Sequence, residues 1–339
     1  MTETGKVDRQ FFAEYIATRL GAPREDVRKG PRHGVDFGVV DVGDSALVVA
    51  TDPLSILPDL GFERAGRFAL RFVLADVAVS GLAPTHLAVS FSLPPEMTDE
   101  EFATVWRAID EECADLGVAV VTGHTARYAG CQFPWVGSAT AFAAGTAEDI
   151  VYPDGARPGD RLLVTKGPAV ETTGLLTTLF PDQIALDESV RSTAQKRLED
   201  TGVVRDASGA AEVGGVSAMH DATEGGLLGA LFELSGSAGV RIVVDSAAVP
   251  VLPGVRETCE ALAMDSWRAG SGGTLVLAVD PGSVDRVVEA LTARETPVGV
   301  AGRVEAGEGV VIDGAEQTPP AGDSSWPVYE RLLAARDDE

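Results

Sequence analysis

Along the first half of the chain, apolar residues alternate in short runs and then shift to helical spacing, and the changes of period predict an order of elements. Gly34 to Pro53, GVDFGVVDVGDSALVVATDP, reads as two strands joined by a Gly-Asp turn. From Phe62 to Ser80 the pattern is helical, and His86 to Leu93 is a strand. Thr98 and Glu101 form a capping box ahead of an apolar stripe of Phe102, Val105, Trp106, Ile109, Cys113 and Leu116, which stops at Gly117. VAVVTGHT and WVGSATAFAAG are two further strands. The predicted order is β, β, α, β, α, β, β.

At Tyr152 to Asp160 the composition turns to PDGARPGD, a connector that marks a domain boundary. The reading divides the chain into an N-terminal domain (1–153), a C-terminal domain (154–318) and a tail (319–339). The second domain opens with a strand, RLLVTKG, followed by helices near 171–180 and 188–200. MHDATEGGLLGALFELS then reads as a strand end, a tight acidic loop and a helix with Leu227, Leu228, Leu231 and Leu234 on one face. Next come a strand (VRIVVD), a glycine-rich loop into another strand (RAGSGGTLVLAVD), a helix facing inward through Val284, Val287, Val288 and Leu291, and a final pair of strands. From Gly314 the chain is loop-like, with a short helix to close it.

Composition narrows the function classes. The 339 residues suit two domains, and 45% hydrophobic with 6% aromatic residues describes a globular α/β protein built on Val, Ala and Leu. The formal charge of −25, from 52 acidic and 27 basic residues, repels nucleic acid and anionic membranes, which are bound mainly through Lys and Arg. The acidic residues are spread along the chain, as on a solvated surface adapted to salt. Cys113, Cys131 and Cys259 are isolated and odd in number, which argues against a disulfide framework. With no signal-like start and no apolar run of membrane length, the expected location is the cytoplasm.

The candidate chemistry lies in carboxylates. Asp76 lies on a helix with Ala69, Phe72, Val73 and Ser80 at helical spacing, so its carboxylate faces the core, where a charge is costly without a cation or hydrogen bonds. Asp36 precedes a strand, and Asp52 is expected to end one just before Pro53; each alone reads as a turn residue. With Asp221 and Glu224 they form a set at strand ends and helix starts, where open α/β sheets place ligands, and such oxygen donors suit Mg²⁺. A glycine pair at a helix start suggests a backbone pocket for phosphate, yet bare Asp221 and Glu224 would repel phosphate unless metal lay between. His124 and His220 are possible proton carriers. The chain has no HExxH, GxSxG, Walker loop or dinucleotide fingerprint, and SGGT at Ser271 to Thr274 opens a strand, a weak signal on its own.

In order, GVDFGVV, ATDP, LADVAVSGLAP, VVTGHT, MHDATEGG and SGGTLVLAV resemble the superfamily of aminoimidazole ribonucleotide (AIR) synthetase, selenophosphate synthetase, thiamine-monophosphate kinase and the hydrogenase maturation protein HypE. The nearest resemblance is to the HypE-like, AIR synthase related group, over nearly the whole chain. It implies a two-domain α+β fold whose N-terminal domain dimerises through a shared β-barrel beside a C-terminal α/β domain. It also implies ATP with Mg²⁺ held by Asp36, Asp52, Asp76 and Asp221. Gly123 and Thr125 would face phosphate at a strand end, while Thr223, Gly225 and Gly226 would line the nucleotide side of the second domain. Asp76, His124 and Asp221 would carry the chemistry, transfer of a phosphoryl group to, or dehydration of, a small substrate. Two departures stand out: the chain ends LLAARDDE without the terminal Cys that carries the reacting group in HypE, and His124 stands where several branches have an acidic residue. The rival expectations are a thiamine-monophosphate kinase, against which HDATEGG departs from that kinase's Ser-Asp-Gly-Leu pattern, and a nucleotide-binding scaffold that docks maturation factors without turnover.

Overall fold

A computed structural model describes Gly5, Val7 and residues 9–337. The chain forms two compact units. One comprises Arg24–Pro31 and Asp36–Ile150; the other comprises the described residues up to Pro23, Arg32–Val35 and the chain from Val151 onward. A short helical turn, α1 (Arg9–Phe11), precedes the first strand and belongs to the second unit.

In the N-terminal unit, β1 (Val27–Lys29), β2 (Gly38–Val42) and β3 (Ser45–Ser55) lead to α2 (Phe62–Ala78), β4 (His86–Leu93), α3 (Asp99–Leu116), β5 (Ala119–Arg127) and β6 (Trp135–Gly145). The expected hairpin is β2–β3: Val42 pairs with Ser45 across Gly43, whose φ of +61° favours glycine, and Asp44. Asp52 does not end its strand as expected. β3 runs on to Ser55 and Asp52 pairs with Ala139 of β6. Proline is tolerated there because the pairing of β3 with β2 stops at Val49, so Pro53 has a neighbouring strand on one side only. The sheet order is β1-β2-β3-β6-β4-β5, antiparallel except for β4 beside β5.

Two helices complete this unit. On α2, Ala65, Ala69, Val73 and Val77 are buried, and Gly66 allows α3 to cross closely, since a Cβ there would fall 2.8 Å from the Val105 carbonyl oxygen. On α3, Glu101 Oε2 accepts from Thr98 N at 2.7 Å, Thr98 Oγ1 accepts from Glu101 N at 3.2 Å, and Gly117 closes the helix at φ +75°. Phe102 and Trp106 of its stripe meet Phe91 of β4 edge to face, at 5.3 and 6.2 Å.

The second unit contains β7 (Arg161–Thr165), α4 (Val170–Leu179), α5 (Glu188–Gln195), α6 (Val204–Glu212), β8 (Val216–Asp221), α7 (Gly226–Ala238), β9 (Val240–Val244) and α8 (Val255–Leu262). These are followed by β10 (Leu275–Val279), α9 (Val284–Thr292), β11 (Val298–Ala306), β12 (Gly309–Ile312), β13 (Ala315–Glu316) and α10 (Ser325–Asp337). The sheet order is β13-β12-β9-β11-β7-β10-β8, antiparallel except for β12 beside β9. Leu227, Leu228, Leu231 and Leu234 of α7 are buried in one apolar cluster with Val164, Ile242, Val276 and Ala301 of the strands. The helix expected over 188–200 divides at Lys196, where six residues tighten into 3₁₀ geometry. Among the described residues, no helix is long and apolar enough to cross a membrane.

Candidate functional site

The polar end of the second unit is built where β8 runs out. Leu275 of β10 pairs with Asp221, and Val276 pairs with His220. That register buries both polar residues, leaving His220 1% and Asp221 2% exposed. His220 Nδ1 lies 2.7 Å from the Asp221 main-chain oxygen, and since a carbonyl only accepts, Nδ1 carries the hydrogen. The other ring nitrogen faces the Glu233 carboxylate on α7 at 3.5 Å. Both nitrogens therefore face oxygen, and the ring is held in place rather than presented to solvent.

The loop from β8 to α7 takes its shape from the two glycines. Gly225 has φ +81° and Gly226 φ +65°, and a Cβ on Gly226 would fall 2.5 Å from the Ala269 carbonyl oxygen. The expectation of a backbone pocket open to phosphate needs correction. Gly226 N donates to Thr223 O at 3.0 Å, and Gly225 N donates to Asp323 Oδ2 at 2.9 Å. The glycines are required by close packing and by the turn, and their N–H groups already have acceptors.

A further carboxylate, Glu171, stands in the first turn of α4. The loop into that helix passes through left-handed geometry at Lys166 (φ +53°), Gly167 (φ +90°) and Ala169 (φ +56°). It is pinned by the SGGT segment: Ala169 N donates to Ser271 Oγ at 2.7 Å, and Thr274 Oγ1 donates to Gly167 O at 2.6 Å. Glu171 Oε2 accepts from Gly272 N at 3.0 Å. Loss of solvent pushes the Glu171 carboxyl up to about 7, the hydrogen bond from Gly272 opposes that, and the charges of Asp323, Asp221 and Glu224 add to the rise. Three acidic side chains, Asp221 and Glu224 from one loop and Asp323 from far along the chain, thus bear on Glu171. Asp221 and Glu224 were legible as site candidates; Glu171 and Asp323 were not.

Within the N-terminal unit, Asp36, Asp52 and Asp76 are each half-buried. Asp76 is on α2 and Asp52 on β3, two elements that pack together, while Asp36 directly precedes Phe37 and β2. Gly123, His124 and Thr125 are not at a strand end as expected, because β5 continues to Arg127. Gly123 is demanded by packing: a Cβ there would fall 2.6 Å from the Val89 carbonyl oxygen of β4. His124 is exposed, with Nε2 3.2 Å from the Tyr128 hydroxyl.

The N-terminal domain of AIR synthase related protein matches residues 34–147, and the C-terminal domain of AIR synthase related protein matches residues 157–314. The chain belongs to the AIR synthase related family. It is 30% identical to carbamoyl dehydratase HypE of Cupriavidus necator, over 75% of this chain and 70% of that protein. It is 28% identical to thiamine-monophosphate kinase of Pyrococcus horikoshii, over 85% of this chain and 89% of that one. The crystal structure of hydrogenase maturation protein HypE in complex with ATP has the same fold, with a TM-score of 0.70 at 23% identity over 93% of this chain and 95% of that one. The two-domain α/β architecture with mixed sheets is that of the family; among the described residues neither sheet closes on itself.

Proposed function

We propose that the protein is an ATP- and Mg²⁺-dependent enzyme of the HypE-like group that phosphorylates or dehydrates a small substrate. The observation that carries this reading is that Asp221 ends β8, Asp323 accepts from Gly225 in the loop that follows, and Glu171 accepts from Gly272 in the loop into β10, the strand paired with β8, in a family whose relatives include an ATP-bound structure. Hard carboxylate oxygens are the donor set Mg²⁺ prefers, and such a group of like charges at a buried end gains most from a cation. Asp221 would hold Mg²⁺ in the second domain (154–318), and Asp36, Asp52 and Asp76 would do so in the first (1–153). When bound, Mg²⁺ would offset the charge that develops on the transferred phosphoryl group.

The other residues have assigned roles in the same reading. Thr223, Gly225 and Gly226 shape the loop against which the nucleotide lies, and Gly123 and Thr125 line the nucleotide side of the first domain. His124, exposed on β5, is the candidate proton carrier, alongside Asp76 and Asp221. A shared β-barrel in a homodimer is supported by β5, a nine-residue strand at the sheet edge with Val120 39% and Val121 56% exposed.

The test is ADP release by the purified protein across a panel of amides, carboxylates and phosphate esters with Mg·ATP. Turnover on at least one of them, abolished by chelation, is expected. Tight ATP binding without turnover would mark a scaffold instead. A second reading, phosphorylation of thiamine monophosphate, is favoured by the match to the Pyrococcus kinase over 89% of that protein. Robust turnover of thiamine monophosphate would put that reading first.

A further inference from the structure

We propose that Asp323 is a specificity-determining residue: its carboxylate fills the anion position at the start of α7, so that this unit accepts phosphate only together with a divalent cation. The inference rests on the nucleotide reading above, but it concerns a residue that neither the motifs nor the family resemblance singled out.

The start of a helix offers N–H groups without intrahelical partners and the positive end of the helix dipole, and a glycine there lets an anion come close. In α7 the position is taken from within the chain. Asp323 is 7% exposed and its Oδ2 accepts from Gly225 N at 2.9 Å. Its Oδ1 accepts from Ser325 N at 2.8 Å and from Ser325 Oγ at 2.6 Å, at the start of α10. One carboxylate therefore joins the start of α7 to the start of α10.

The segment that carries Asp323 is fastened on both sides. Pro320 lies over Gly225, its Cγ 3.3 Å from where a Cβ would stand. Ser324 donates through N to Arg268 O at 2.9 Å and through Oγ to Asp265 O at 2.8 Å. Displacing the carboxylate would break three hydrogen bonds to it and loosen the start of α10.

Charge and geometry act together. A bare phosphate approaching Gly225 would meet the Asp323 oxygen in the place it needs, with Glu224 adjacent in the chain and Asp221 at the end of β8 adding negative charge. A divalent cation reverses the sign of that encounter, because the same carboxyl groups then attract the metal-bearing phosphate. Removing Asp323 frees a glycine N–H and deletes one negative charge, and both changes favour the bare anion.

The experiment is calorimetric titration of the full chain with inorganic phosphate in a chelating buffer, and with ATP with and without Mg²⁺. Asp323→Ser retains a short oxygen acceptor near the start of α10 but is uncharged and too short to reach Gly225. It is expected to bind phosphate about tenfold or more tightly than the wild type does. Asp323→Asn keeps the size of the side chain and is expected to gain less. The wild type is expected to prefer Mg·ATP to metal-free ATP by at least about tenfold, and Asp323→Ser to narrow that ratio.

A folded Asp323→Ser protein with unchanged phosphate affinity overturns the proposal. So does a wild type that binds ATP equally well with and without Mg²⁺, a result that stands even if the serine variant fails to fold. A wild type that binds no nucleotide, beside a serine variant that gains phosphate, would sink the nucleotide reading and leave the assignment of Asp323 in place.

Discussion

Glu171 sets a pH dependence that belongs to one side chain. Its carboxyl is held at about 7 against an ordinary 4.5, so the folded protein keeps a proton that the unfolded chain releases between those values. The sign follows from the proton count. Stability from this group is fully present below about pH 4.5 and declines as pH rises to about 7. In a chelating buffer, Glu171→Gln should remove the decline and raise unfolding stability at pH 8 by roughly 1–2 kcal/mol. The full shift, at about 1.4 kcal/mol per unit, would give more, but water reaches part of the side chain. Denaturant melts of both proteins at pH 5 and pH 8 check this, and parallel pH profiles would refute it. Asp76 offers a test on the other unit: Asp76→Asn should weaken Mg·ATP binding about tenfold or more by calorimetry, and an unchanged affinity would remove it from the site. At this scale sequence was informative for residues within one motif. Asp221 and Glu224 sit three positions apart in a loop that glycine already marks. Glu171 and Asp323 reach the same place from 50 residues before Asp221 and 102 after it, through β-pairing and tail docking that no local pattern encodes.

Lys166 shows how one element is fixed by a buried charge. Its ammonium is 3.0 Å from Asp206 of α6 and donates to Asp200 O at 2.9 Å and Gly202 O at 2.8 Å, while its own backbone is left-handed. The three acceptors tie the end of β7, and with it the loop into α4, to the turn before α6. Lys166→Met would leave Asp206 buried without the ammonium, while Thr296 Oγ1 still donates to its Oδ1 at 2.6 Å. The expected cost is about 3 kcal/mol in chemical denaturation, and a loss under about 1 kcal/mol would mean the pair contributes little. Elements were legible where a period and a stop signal agreed. The α3 capping box and Gly117, the β2–β3 turn, β4 and β6 all emerge where the pattern put them. They misled where pairing overrode local chemistry: Pro53 signals a stop, but β6 continues to pair with β3 past it. α6 escaped notice because its buried face is largely small, with Ala207, Gly209 and Ala210, and gives almost no apolar contrast.

For the molecule as a whole, the unusual surface is the edge of the first sheet. Ala119 to Thr125 of β5 are all exposed, on both faces of the strand, and β4 is the strand's partner within the chain. A long edge strand with exposed valines is a template for another strand, and proteins that keep such an edge usually cover it. The net charge of −25 works against self-association through long-range repulsion, and salt screens that repulsion. The homodimer reading therefore predicts a definite salt response: association should tighten between about 0.05 and 1 M NaCl, where the screening length falls from over 10 Å to about 3 Å. Val121→Lys adds a charge to the apolar edge and leaves the buried core of the unit untouched, since Val121 is 56% exposed. Light scattering behind gel filtration should show a dimer for the wild type in high salt and a monomer for the variant, with both proteins melting within about 1 kcal/mol of each other as free chains. A variant that stays dimeric would move the interface away from β5, and with it the reason for an exposed strand that carries Gly123, His124 and Thr125.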